Sequence, residues 1–544
     1  MNKFYTVALL FIIIWGCQSS SEETLRIPHL NKQGNTTQLI VDGKPYLILG
    51  GELGNSTFTS LEYMEPVWAK LKIMNLNTIL APVYWELIEP EEGKFDFKLL
   101  DELINESRKY NFKLVLLWFG SWKNSMSSHT PEWVKKDQER FPRVKDDKNI
   151  SHEILTPFSE ENLKADLKAF QTLMKHIKEI DQYENTIIMI QPENEIGMLP
   201  SARDYHPLAE KKFYSNVPVE LIDYLKKNKE ILVPEFLEVW ARNGFKESGT
   251  WEDIFGKGLH TDEIFMAWYF AKFTNEITEA GKKEYPLPMF VNAALNRPGR
   301  LPGSGYPSAG PLPHLMDLWK AGAPSIDFLS PDFYNPDFKH WCELYTRQEN
   351  PLFVPEHVFD KTVAAKAAFT FGNYEGIGFS PFSIESTENA EDEPLGKMYK
   401  LIDQLTPIIT ANHGKGRIAG VLLDKENYEN VVRLGKYEFT IRHSYTLGYE
   451  MDSKNENWDM TGAIIVQTDD NEFYVAGSGI VITFKNVENE NLVVGILKVD
   501  EGRFENNKWK VIRHMNGDQT HQGRHVRTFV NDFSIQRFEL YNYE

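Results

Sequence analysis

Eight short apolar runs recur along the first three-quarters of the chain. They are YLILGGE (46–52), TILAPVYW (78–85), KLVLLWF (113–119), TIIMIQPE (186–193), PMFVNAAL (288–295), IDFLSPDFY (326–334), PLFVPEH (351–357) and GIGFSPFSI (376–384). None alternates apolar with polar, as expected for parallel strands covered on both faces. Helically spaced segments fill the intervals, among them SLEYMEPVWAKLKIMN, DFKLLDELINESRKYN, KADLKAFQTLMKHIKEI and TDEIFMAWYFAKFTNEITEAGKK. Eight such alternations predict an α/β fold, a (β/α)8 TIM barrel. Roughly ninety residues separate the fourth run from the fifth, far more than an ordinary loop. Helical stretches there (PVELIDYLKKNKEIL, PEFLEVWARNG) predict an elaborated excursion over one barrel face.

After Glu385 the pattern changes. One helix, LGKMYKLIDQLTPIITANHG, closes the barrel region. Short β-type runs follow: IAGVLL, YEFTIR, GAIIVQT, EFYVAG, GIVITFK, VVGILKV, KWKVIRH and FSIQRFELY. Turn-like TDDNE and NENWDMTG divide them, which predicts a β-sandwich-like C-terminal domain. The boundaries expected are a signal peptide over 1–16, a tether over 17–35, a catalytic barrel over 36–412 and a β-rich domain over 416–544.

The N-terminus, MNKFYTVALLFIIIWGCQSSSEE, has a basic start and an apolar run too short to span a bilayer. The IWGC that ends it is similar to a bacterial lipobox, with Cys17 as the lipidated residue and QSSSEE as tether. An exported lipoprotein follows, periplasmic or on the cell surface, with membrane attachment through the lipid anchor only. The chain has two cysteines. With Cys17 lipidated no internal disulfide forms, and Cys342 is expected as a buried small hydrophobe.

A net charge of −19 excludes nucleic acid as the partner. No phosphate loop, H-E-x-x-H or cysteine cluster occurs, so no metal and no cofactor are indicated. Aromatics reach 13% of residues. They serve large cores or sugar stacking.

In a (β/α)8 barrel, chemistry gathers at the C-terminal strand ends. The ends carry Glu52; Tyr84, Trp85 and Glu86; Trp118 and Trp122; Glu193, Asn194 and Glu195; Asn292 and Asn296; Asp332 and Tyr334; Glu356 and His357. Carboxylates, amides and aromatics together point to a carbohydrate substrate. In IIMIQPENEIG (187–197), Gln191, Glu193 and Glu195 share one face if the strand runs on. Two acids two residues apart cannot flank a sugar, so the partner of Glu195 must come from another strand, and Glu356 lies opposite. Glycoside hydrolysis needs such a pair, about 5–5.5 Å apart in retaining enzymes.

QPENEIG resembles the Q-x-E-N-E-(Y/F)-G motif of glycoside hydrolase family 35, the β-galactosidases, with Ile196 at the aromatic position. YWELIEPEEGKFDF is similar to that family's W-N-x-x-E-P-x-x-G-x-(Y/F)-x-F segment, with Glu86 in place of Asn. The family's active-site Tyr falls at Pro82, and Tyr84 is adjacent. TPEWVKK resembles L-P-x-W-L, with Asn124 near the place of an expected acid. VPEHVFD stands where the family has its nucleophile.

The resemblance implies Glu195 as acid/base, Glu356 as nucleophile and Asn194 as the amide on the sugar 2-hydroxyl. It implies Glu193 as a sugar ligand or as a charge that raises the acid's pKa, and Tyr334 as donor to Glu356. Glu52, Tyr84, Trp85, Trp118 and Asn124 complete the substrate-binding candidates, with Trp118 and Trp122 divided between sugar platform and core. The implied function is a retaining exo-β-galactosidase acting on plant or algal oligosaccharides. The alternatives are another exo-glycosidase of the same clan (β-glucosidase or arabinopyranosidase) and a glycan-binding lipoprotein without catalysis. A homo-oligomer is compatible with the chain.

Overall fold

The computed structural model describes residues 26–515 and 517–544. The expected signal peptide and Cys17 lie outside them. Each of the eight runs holds a strand. We number these β1 (Ile48–Glu52), β2 (Thr78–Tyr84), β3 (Lys113–Lys123), β4 (Ile187–Asn194), β5 (Phe290–Ala294), β6 (Phe328–Phe333), β7 (Phe353–Val354 with Glu356–His357) and β8 (Gly378–Phe379). Pro355 has no N–H to give, and it divides β7 into two pieces.

The parallel pairings run β8–β1–β2–β3–β4 and β5–β6–β7. A parallel bridge joins Ile190 of β4 to Met289, ahead of β5. Phe353–Val354 pairs with Gly378–Phe379, linking β7 to β8. The arrangement is TIM-barrel-like, with helices outside. The helix Leu61–Ile73 starts at Ser60, whose side chain accepts from the Tyr63 N–H. The helix Glu160–Asp181 is capped in the same way by Ser159. Leu80, Val115, Leu117, Ile188, Phe290, Phe328 and Phe353 fill the space between the strands.

Part of the expected tether is ordered sheet. His29–Gln33 pairs antiparallel with Thr36–Val41, which pairs with Lys44–Tyr46. Leu39 and Val41 of this hairpin bury against the strand core, and that burial is why the segment folds. The tether expected over 17–35 is therefore corrected at its C-terminal end. The excursion between β4 and β5 carries the helices Val219–Lys227 and Pro234–Arg242 before the long helix Leu259–Glu284. Cys342 is buried, as expected. No helix among the described residues is long and apolar enough to cross a membrane.

The C-terminal part holds a six-stranded and a four-stranded sheet, their internal pairings antiparallel. Phe439, Phe473, Phe538, Ile441, Ile465 and Ile482 form one apolar core between them. The helix Val363–Asn373, which follows β7, lies backbone to backbone on this part. A Cβ on Gly372 would meet the Gly420 Cα at 2.6 Å, and one on Gly462 would meet the Ala365 carbonyl oxygen at 2.7 Å. Gly372→Ala is therefore expected to destabilise the chain by about 1–3 kcal/mol through overpacking, read as a lower midpoint in urea unfolding. An unchanged midpoint would contradict this close approach.

Candidate active site

The C-terminal strand ends converge on a pocket of about 430 Å3. Its polar lining includes Lys123, Asn124, Glu195, Asp332, Tyr334 and Glu356. Strand register brings the acids together. Asp332 and Glu356 are paired positions of β6 and β7. Glu52 at the end of β1 bridges to Phe382, another lining residue. One carboxylate oxygen each of Glu195, Asp332 and Glu356 lies within 4.8 Å of the other two.

The fourth strand does not keep its alternation to the end. Glu193 and Glu195 both adopt positive φ, 64° and 42°, a conformation uncommon and costly for residues other than glycine. The backbone turns there, and the two glutamates part. Glu193 turns inward: its Oε2 accepts the Trp122 N–H at 2.7 Å. Glu195 reaches the pocket. Asn292 holds it there, because its Oδ1 accepts the Glu195 N–H (2.9 Å) while its Nδ2 donates to Asp332 (2.7 Å).

Several expected sugar contacts are corrected. Trp118 is fully buried and donates through Nε1 to Asp166 at 2.9 Å. Asp166 also accepts from the N–H and hydroxyl of Ser121. Trp85 is buried and donates to Glu89. The Tyr84 hydroxyl donates to the Asn55 carbonyl, and its ring packs on Phe119. Trp122 donates to the Leu155 carbonyl from within the core. None of these, nor Glu193, lines the pocket. Large aromatics at strand ends are absorbed by helix–strand packing before they can face a ligand. The aromatic walls are Tyr306, Tyr334 and Phe382 instead.

Of the other expected residues, Asn124, Tyr334 and Glu356 line the pocket, and Asn194 and Glu52 lie buried outside its lining. The Tyr334 hydroxyl donates to Glu356 Oε1, and the Glu52 carboxyl is a second hydrogen-bonding neighbour of Glu356. Asn124 lines the wall. Asn194 is buried, its Oδ1 taken by Lys123 Nζ and its Nδ2 open. Glu52 is buried against Glu356. Sequence reasoning missed Lys123, although a lone lysine closing an apolar strand was a signal. It named Asp332 and Asn292 at strand ends without giving them work. It passed over Tyr306, which sits in the glycine-rich loop after β5.

Burial and mutual repulsion govern the protons. Burial, then the Glu356 charge, pushes Glu52 well above the ordinary carboxylate range, and Asp332 likewise. Burial, then Glu195, raises Glu356 to about 7; Lys123 and hydrogen bonds from Tyr334 and Glu52 oppose the rise. Glu193 is raised by burial and by Asp166. His357, next to the cluster, falls to about 3 through burial and the nearby Lys366, so it is neutral.

A rim of carboxyls and amides on parallel strand ends can bind hydroxyl groups and move protons. Residues 62–255 match the family model described as beta-galactosidase (Glyco_hydro_42), and residues 395–527 match a domain of unknown function (DUF5597). Beta-galactosidase 14 of Arabidopsis thaliana is 28% identical over 36% of this chain and 21% of its own length. A beta-galactosidase of Xanthomonas manihotis is 27% identical over 31% and 27%, and the human beta-galactosidase-1-like protein 3 is 27% identical over 35% and 28%. The chain thus spans under a third of the length of these curated relatives. A beta-galactosidase structure from Bacillus circulans sp. alkalophilus overlays with a TM-score of 0.45 at 15% identity, covering 66% of this chain and 56% of its own. Over residues 62–255 the chain is thus similar to the beta-galactosidases. The first matched segment contains Glu193 to Glu195, and Glu356 lies outside both.

Because Trp118 sits behind the pocket, Trp118→Phe is expected to lower stability by about 1–3 kcal/mol, through the bond lost to buried Asp166. Substrate KM should stay within about twofold, since no uniform binding contact is removed. Equilibrium unfolding and steady-state kinetics on the purified variant check both. A large KM rise with unchanged stability would restore the platform role.

Proposed function

We propose that the chain is a retaining exo-β-galactosidase, exported and lipid-anchored through Cys17. The strand pairings support a closed eight-stranded barrel over 36–412, with the hairpin at its start and a β-rich domain over 416–544. The observation that carries the reading is the closeness of Glu195 and Glu356, within 4.8 Å across one pocket. Oxygens this close favour double displacement, because inverting pairs stand about 6.5–9.5 Å apart to admit a water.

Glu356 attacks the anomeric carbon while Glu195 gives its proton to the departing oxygen. A water then enters, loses a proton to Glu195 and releases the sugar from Glu356. The Tyr334 hydroxyl and the Lys123 charge favour the ionised nucleophile. A pocket of about 430 Å3 suits one terminal sugar and the start of its leaving group. The curated relatives' names favour galactose as that sugar.

Glu356→Ala is expected to cut kcat on an aryl β-galactoside by about a thousandfold or more. Azide should restore turnover and give the α-galactosyl azide. Near-full activity without Glu356 would end the assignment.

Glu356 must be ionised to attack, so kcat/KM should fall as pH drops through about 7. Removing the donated hydrogen bond in Tyr334→Phe raises the Glu356 pKa, so this acidic limb should move to higher pH. A kcat/KM profile of the two enzymes decides it, and an unmoved or lowered limb would contradict the role of Tyr334.

A further inference from the structure

Lys123 closes β3 with its side chain buried, yet among the described residues it forms no ion pair. Its Nζ donates instead to two amide oxygens, Asn124 Oδ1 and, at 2.9 Å, Asn194 Oδ1. An ammonium taken out of water needs acceptors close by. It has three hydrogens to give and no lone pair to receive. The end of an amide that faces it must therefore be the oxygen end.

This fixes the rotation of Asn194. With Oδ1 on the lysine, Nδ2 turns the other way, and there it is buried with no protein partner. Such a donor is costly unless a ligand supplies an acceptor. Asn194 lies between the pocket-lining Lys123, to which it is bonded, and the pocket-lining Glu195, which follows it in the chain. A free asparagine can present either end of its amide. This one is held with its donor turned away from the lysine and without a protein partner.

We propose that Lys123 is a positioning residue that locks the Asn194 amide so that Nδ2 donates to the hydroxyl on C2 of the glycone. The inference rests on the glycosidase reading above. Lys123 then contributes to turnover through Asn194, at a bond that strengthens as the sugar ring gains positive character. It also implies a substrate whose C2 substituent accepts a hydrogen bond.

The test compares kcat/KM for an aryl β-galactoside and its 2-deoxy counterpart. In the wild type the ratio should favour the 2-hydroxyl substrate. Lys123→Met keeps the side chain's length and removes its donors, and should reduce that ratio by about tenfold or more. Asn194→Ala should reduce it similarly, and the double variant should lose no further selectivity. Equal losses on both substrates in Lys123→Met would overturn the inference while leaving the glycosidase reading intact. Thermal unfolding confirms that each variant is folded; if Lys123→Met is not, Lys123→Gln is judged by the same ratio. If the wild type turns over neither substrate, and calorimetry shows binding of neither galactose nor 2-deoxygalactose, the glycosidase reading fails and this inference with it.

Discussion

Holding several carboxyl groups together away from water is the constraint around which the site is built. Glu52, Glu195, Asp332 and Glu356 are all buried at the ends of parallel strands. Isolated, each charge would be strongly unfavourable there. Together they repel, and repulsion on top of burial keeps protons on the cluster: Glu52 and Asp332 lie well above the ordinary range. Those protonated neighbours can donate to the carboxylates beside them, while Lys123 supplies positive charge to Glu52 and Glu356. The result is a site with acid and base forms available side by side near neutral pH, which is what proton transfer to a leaving oxygen and attack on carbon both need.

Backbone geometry makes that crowding feasible. Register sets Asp332 beside Glu356, and the Asn292 amide ties the Glu195 N–H to Asp332. The turn at the end of β4 sends Glu193 to a buried partner at Trp122, so it does not join the pocket. Behind the cluster, Asp166, Ser121 and Trp118 form a buried hydrogen-bonded layer that fixes the end of β3, the strand that carries Lys123. The strand that carries Glu356 is braced from the other side. His357 shares a hydrogen bond with Lys366 of the helix Val363–Asn373, and that helix packs glycine against glycine on the β-rich part. The C-terminal part therefore supports the strand that holds Glu356.

Much of this was legible in the sequence. Parallel strands covered on both faces leave continuous apolar runs, so all eight could be found. The acids at their ends could be read as a pair because strand ends on opposite sides of a barrel face one another. The failures have physical causes. Strict alternation put Glu193 and Glu195 on one face, but positive φ at both residues breaks that period. Trp85 and Trp118 stood among the substrate-binding candidates, Trp118 divided between platform and core, because size and position cannot distinguish a pocket wall from the packing behind it. The hairpin from His29 to Tyr46 was taken in part for tether because its early strand is short and polar, and the residues that bury it most deeply, Leu39 and Val41, come later in it. Lys123 carried no motif. Its meaning comes from which amide oxygens it meets in space.

The central claim is that Glu356, among four neighbouring carboxyls, is the one that bonds to the sugar. A 2-deoxy-2-fluoro-β-galactosyl fluoride should trap that bond, and peptide mass mapping of the inactivated protein should find the adduct on the segment containing Glu356. An adduct on Glu52, Glu195 or Asp332, or hydrolysis of galactosides with no adduct on the protein, would contradict the account.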